Sequence, residues 1–215
     1  MLGWPALGVA IELRVERVEP MKQLVFRSDD ASLELNFREG QIELRHSAQF
    51  EDDDEREGTL SSWRMALATL AHYLEQHDGR ARTVHWAVER SQASIADAHA
   101  FFTLSGAQRG WLTRTSTGSG IGDVNSEVAL DLAWGPSLTG RVLAHTPPRD
   151  ALISWRETNH SLLALRTLPC PGSSSERLLV ATWSTWDMPE TAHISAQLAA
   201  ALQRLAQLHK HRASA

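Results

Sequence analysis

The sequence predicts an α+β protein built twice on one plan, antiparallel strands followed by a long closing helix. Three observations carry this. Apolar and polar residues alternate through several short segments, the period of strands with one wet face. Two stretches, about residues 60–77 and 194–208, instead space their apolar residues at three and four, the period of a helix. Residues 138–211 also repeat the order of residues 9–77: four strands, then a helix. VERVEP (15–20) aligns with VLAHTP (142–147), Phe26-Arg27 with Trp155-Arg156, Ser32-Leu33 with Ser161-Leu162, and residues 46–50 with 182–186. A repeat of this length points to two copies of one unit.

In the first copy, Val9, Ile11, Leu13 and Val15 share one strand face, with Glu12, Arg14 and Glu16 on the other. Leu24 and Phe26 continue the alternation, then Leu33, Leu35 and Phe37, then Ile42, Leu44 and His46. Glu39-Gly40 marks a tight turn between the last two strands. After the acidic run 51–55, Leu60, Trp63, Leu67, Leu70 and Leu74 form one apolar helical stripe. Gly79 follows as a C-cap. The expected division is therefore a partial unit, 1–79, and a complete one, 80–215.

The second unit opens with a segment that has no counterpart in the first. Val84, Trp86 and Val88 alternate as a strand. Residues 95–103 read as a short helix, with Asp97 and His99 outward and Phe101 or Phe102 buried. A second short helical segment carries Trp111, and the Gly-Ser-rich residues 116–122 form a loop. Val128, Leu130, Leu132 and Trp134 alternate on a strand. The shared pattern resumes with Val142 and Ala144, Ile153 and Trp155, Leu163 and Leu165, and Leu178, Val180 and Thr182. The closing helix carries Ile194, Leu198, Leu202, Leu205 and Leu208.

This order, strand, two short helices, five or six antiparallel strands and a long helix, resembles the START-like (SRPBCC, birch-pollen-allergen-like) superfamily. Within it the chain is most similar to the family of the C-terminal domain of the activator of heat-shock protein 90 ATPase. Residues 42–50 (IELRHSAQF) look like the strand that precedes that family's acidic loop and closing helix, and residues 63–75 (WRMALATLAHYLE) like the helix itself. The second copy departs from the motif, with Thr182 in place of His46 and Leu198 in place of Trp63. The resemblance implies a helix-grip fold, a curved antiparallel sheet around a long C-terminal helix. It also implies that the first copy begins at the middle of that fold. Its missing half is supplied by the second copy, by another chain, or was lost at a truncated gene start.

Composition narrows the function. The chain has 215 residues, 42% hydrophobic and 22% charged, an ordinary globular balance. The formal charge of −5 is uneven: residues 1–79 carry 8 basic and 16 acidic side chains, and the remainder is net positive by 3. Neither part is basic enough for a nucleic-acid surface. The apolar start MLGWPALGVAIEL is short, lacks a basic lead and runs into charges, so it reads as neither signal peptide nor membrane helix. The single cysteine, Cys170, cannot form an internal disulfide, which fits a cytoplasmic protein. It lies in Pro-Cys-Pro-Gly with no basic neighbour, a poor nucleophile.

No local pattern specifies catalysis, a metal or a cofactor. Gly118, Gly120 and Gly122 lack the strand and helix that frame a phosphate loop, so they read as a flexible loop near a pocket mouth. The acidic run lacks the alternating ligands of a calcium loop and reads as solvated charge favouring the next helix N-terminus. His72 and His77, five apart, and His209 and His211, two apart, give no i, i+4 ligand face; His46 points inward as a core or pocket residue. Polyketide cyclases of the same superfamily use pocket acids and bases; His145, His160 and Arg166 could serve so here, but read as surface positions. The informative set is aromatic. Phe102, Trp111, Trp134 and Trp155, with Val180, flank the space between sheet and helix, either lining a hydrophobic ligand cavity or filling a core. Trp183 and Trp186 read as outward on the last strand, a protein contact patch. The expected function is non-catalytic binding of a hydrophobic small molecule. The alternatives are a protein-interaction module, with a protein partner or a homodimer, and a cyclase-like enzyme.

Overall fold

The computed structural model describes residues 2–4, 9–11, 13–114, 120–188 and 192–213. The chain divides into two compact units, Met1–Arg56 and Glu57–Ala215.

In the first unit, β1 (Leu2–Trp4) pairs with β2 (Val9–Ile11). A separate antiparallel sheet follows in simple order: β3 (Arg14–Glu19), β4 (Gln23–Arg27), β5 (Ala31–Arg38) and β6 (Gln41–Ala48). The strand read from Val9 to Glu16 is thus two strands, and the side chains of Val9, Ile11 and Glu12 lie outside the described residues. Gly40, with φ +68, closes the β5–β6 hairpin at the turn expected from Glu39-Gly40. Register places Val15 opposite Phe26, Phe26 opposite Leu33 and Leu33 opposite His46, so the alternating apolar residues share one face. Only Leu33 of these is buried; Val15 and Val18 are 58% and 61% exposed.

Helix α1 (Asp53–Gln76) starts seven residues before the apolar stripe does. Its start is set by a reciprocal cap. Glu55 N–H donates to Asp52 Oδ1 (2.8 Å), and Glu51 N–H donates to Glu55 Oε2 (2.7 Å). The acidic run therefore satisfies orphan N–H groups and opposes the positive end of the helix dipole.

The second unit is a six-stranded antiparallel sheet covered on both faces. Its strands are β7 (Arg82–Ser91), β8 (Glu127–Asp131), β9 (Ser137–Thr146), β10 (Asp150–Trp155), β11 (Ser161–Cys170) and β12 (Ser173–Trp186), in the order β7-β12-β11-β10-β9-β8. Between β7 and β8 lie α2 (Ile95–Thr103), capped by Ser94 Oγ accepting from Asp97 N–H, and the short α3 (Ser105–Gln108). Helix α4 (Ala192–Ala213) closes the chain. No described helix is long and apolar enough to cross a membrane.

One sheet face presents Ala151, Ile153, Trp155, Leu163, Leu165, Leu179, Ala181 and Trp183 to Phe101 and Phe102 of α2 and to Leu198, Leu202 and Leu205 of α4. Each large side chain fully buried there contributes about 1.5–3 kcal/mol. The other face presents Leu152, Leu162, Ala164 and Trp186 to Met65 of α1. Gly58, Ser61, Met65 and His72 are the buried residues of α1. Small residues let the helix approach: a Cβ on Gly58 would lie 3.0 Å from Pro169 Cδ. Leu60, Leu70 and Leu74 of the predicted stripe are exposed.

Two expectations are corrected here. Trp183 and Trp186 are buried, not outward, because both sheet faces are covered. Trp134 lies in the turn after β8 rather than on a strand.

Candidate functional site

The face packed by α2 and α4 gathers most of the aromatic set. Phe102, Trp111 and Trp155 are fully buried members of one cluster, and Trp134 packs against it half-buried. They meet as a packed core. Trp155 ends β10, where it pairs with Gly140 of β9 and Ser161 of β11. A Cβ on Gly140 would lie 2.8 Å from Trp155 Cε3 and 2.2 Å from Ser154 O, so glycine there lets the indole lie on β9. Trp134 precedes β9 by three residues, at the same sheet end. Ile194, in the first turn of α4, also packs half-buried on this cluster. Val180 is buried but pairs with Arg166 and Val88, between Leu179 and Ala181, and so faces the side of the sheet that carries α1.

The three core indoles differ in hydrogen bonding. Trp111 Nε1 donates to Phe101 O (3.3 Å), and Trp183 Nε1 donates to Ser161 Oγ (3.0 Å). Trp155 Nε1 has no acceptor among the described residues.

The polar candidates are divided between the two faces of the sheet. At the other end of the face packed by α2 and α4, His145, opposite Ala151, meets His99 of α2 with Nε2 atoms 2.9 Å apart. Their rings are 16° from parallel, with centroids 5.1 Å apart. That separation exceeds the Nε2 distance by nearly both ring radii, so the rings meet head to head in an N–H···N bond. Their axes run into each other rather than converge on a third point, so the pair holds a proton and not a metal ion. Burial, then the charge of His145, pushes His99 down to about 4. His99, expected outward, is thus half-buried and engaged.

Arg166, expected at the surface, is mostly covered beneath α1. It reaches Asp150 Oδ2 (3.7 Å) and donates to Ser62 Oγ (2.6 Å). Burial pushes the Asp150 carboxyl up, while Arg166, Ser61, Thr146 and His145 pull it down. His160 contributes its carbonyl, which accepts from His72 Nε2 (2.8 Å) and His77 Nε2 (3.4 Å); His77 stacks on Trp186 at 4.0 Å. Burial lowers His72 and His77. His209 Nδ1 meets Ser91 Oγ (2.8 Å), and His46 makes an edge contact with Phe50. Among the described residues, no group of three His, Cys, Asp or Glu could hold a metal. Gly118 and the side chain of His211 lie outside the described residues. Gly120 (φ +72) and Ile121 are tied to α2, Ile121 N–H donating to Thr103 O (2.8 Å). An open depression of about 500 Å³ at the β5–β6 turn is lined by Arg38, Gln41, Ile42, Glu43 and Arg45. Glu43 pairs with both of its arginines, leaving an ordinary charged surface.

No family model matches the chain, and no curated protein matches it by sequence. Solved structures do. The Aha1 dimer from Colwellia psychrerythraea is similar at 16% identity and a TM-score of 0.50, over 59% of this chain and 96% of that one. Protein MLL2253 from Mesorhizobium loti is similar at 14% identity and 0.48, over 60% and 98%. A norcoclaurine synthase point mutant from Thalictrum flavum is similar at 11% and 0.46, over 62% and 98%. A curved antiparallel sheet closed by a long C-terminal helix, together with the similarity to the Aha1 structure, shows a helix-grip fold.

Proposed function

We propose that this protein binds a hydrophobic small molecule, without catalysis, between the six-stranded sheet and α4. One observation carries the reading. Phe102, Trp111 and Trp155 meet in a single apolar cluster, and at one sheet end that cluster is bordered by half-buried Trp134 and Ile194. Small-molecule sites are lined mainly by apolar and aromatic side chains with a few polar groups. The side chains fill this interior as a packed core, which counts against the reading unless a ligand opens the margin at Trp134 and Ile194. His145 and Arg166 both act on the Asp150 carboxyl, but from opposite faces of the sheet, and His160 contributes its backbone carbonyl, so the three do not line one apolar space. The reading includes a cytoplasmic setting, where buried Cys170 stays a thiol. Native mass spectrometry of the purified protein against a lipid and metabolite extract tests it. A retained apolar molecule whose retention falls in Trp134→Ala is the expected result; an empty protein that also fails to bind a nonpolar fluorescent dye ends the reading.

A second reading rests on the first unit. Its sheet shows a half-bare apolar face at Val15, Val18 and Phe37, and residues 1–79 carry net −8. Such a surface suits a protein partner with basic groups around an apolar centre. Salt-sensitive capture of such a partner, weakened by Val18→Asp, supports it; capture unaffected by both salt and Val18→Asp removes it.

A further inference from the structure

We infer that this chain forms a symmetric dimer through the outer edge of β6, and that the strand added to its four-stranded sheet is β6 of a second copy. The inference is independent of the small-molecule reading above. Strand order points to this edge. The repeat read from the sequence sets β3, β4, β5 and β6 beside β9, β10, β11 and β12, and both sheets keep that order. In the second unit β12 is not an edge, because β7 pairs along it without a register shift, from Arg82 opposite Trp186 to Ser91 opposite Arg177. In the first unit β6 ends the sheet, and among the described residues no strand takes the place of β7. The edge is also flat. β6 pairs with β5 from Gln41 to Ala48 without a bulge and contains no proline. The opposite edge, β3, is broken by a bulge between Val15 and Arg17 and followed by Pro20. Bulges and prolines blunt an edge, whereas a flat unpaired edge is a template for another strand.

The side chains of β6 select a second copy as that strand. Glu43 and Arg45 share one face of the sheet, and Ile42 and Leu44 share the other. Two β6 strands laid antiparallel about Leu44 put Leu44 opposite the partner's Leu44. Glu43 then lies opposite the partner's Arg45, and the two-fold axis makes that pair twice. Sliding the strands by two residues sets Glu43 against Glu43 or Arg45 against Arg45. Sliding them by one turns Ile42 and Leu44 to the charged face. Only the register about Leu44 satisfies charge and pattern together. The Glu43 and Arg45 side chains are 40% and 65% exposed, so both can reach across. The paired residues 41–47 span about 24 Å, and a strip that long and about 10 Å deep lies at the small end of specific interfaces. The dimer is therefore weak and reversible, with a Kd of about 10–100 μM.

Sedimentation equilibrium of the full chain from about 1 to 300 μM measures the association. Arg45→Glu, and separately Glu43→Arg, place like charges opposite each other at both pairs and should weaken the dimer at least about 10-fold. The double variant, Glu43→Arg with Arg45→Glu, exchanges the two charges and should restore the original affinity. Far-ultraviolet circular dichroism checks that each variant is folded. In the unmodified protein, amide exchange over residues 41–47 should slow as concentration rises through the Kd. A chain that stays monomeric up to about 300 μM overturns the dimer. A dimer that neither single variant weakens, that the double variant fails to restore, or that leaves exchange in β6 unchanged overturns the β6 interface.

Discussion

Replacing His99 by Gln should flatten the acid limb of the protein's stability curve. In the fold, burial and His145 hold His99 down to about 4; unfolding returns it to 6.5. Between those values the unfolded chain binds a proton that the folded chain refuses. Stability from this group is therefore complete above pH 6.5 and is lost as pH falls from 6.5 toward 4. For a single site with these two values, the loss between pH 7.5 and pH 5 is about 2 kcal/mol. Partial exposure of the pair trims that to about 1–2 kcal/mol. Gln keeps hydrogen-bonding atoms beside His145 but cannot titrate. His46, His72, His77 and His85 are also lowered by burial and slope the same way, but they are common to both proteins. The difference between the two curves isolates His99. Urea unfolding at half-unit steps from pH 7.5 to 5, followed by far-ultraviolet circular dichroism, measures it. The variant should be less stable at pH 7.5 and close most of that gap by pH 5. Parallel curves across the range would falsify the assignment of a depressed, bridged His99.

Three further outcomes follow from packing. Met65→Ala should cost about 2–4 kcal/mol in chemical denaturation, because Met65 is buried between α1 and the sheet; a cost below ~0.5 kcal/mol would mean that α1 does not cover that face. Gly140→Ala should destabilise the fold by about 1–3 kcal/mol or more in chemical denaturation, since the added Cβ would strike Ser154 O and Trp155; a neutral effect would show that β9 and β10 are not this close. Arg166→Met should cost about 3 kcal/mol by stranding buried Asp150, and adding Asp150→Leu should recover much of it. Additive losses in that double variant would count against a buried pair.

Much of the architecture was legible in order and type. The Leu spacing of α4 placed Leu198, Leu202 and Leu205 on its buried side, and the alternation of Ile153 and Trp155, and of Leu163 and Leu165, chose the face that meets α2 and α4. Alternation failed on β12, where every residue from 177 to 186 is buried. With no wet face there is no contrast to set the phase, so Leu178, Val180 and Thr182 read as readily as the observed Leu179, Ala181 and Trp183. The site was legible in composition only. Trp111, Trp155 and Phe102 stand out as bulky residues, but His99 meets His145 across 46 positions, and no local spacing signals that.

By itself the sequence determined the class, the run of strands and helices, and the helix-grip resemblance. These depend on neighbours within a few residues, and periodicity records them directly. Only the tertiary structure decided which layer covers which face. The apolar stripe of α1 pointed to one side, yet the helix buries Gly58, Ser61, Met65 and His72 against the sheet. That choice comes from fit: small residues let α1 approach β11 at Pro169, and polar ones meet Asp150 and the His160 carbonyl. Close packing and hydrogen-bond satisfaction between segments distant in sequence are properties of pairs of surfaces, and a pattern along one segment does not contain them.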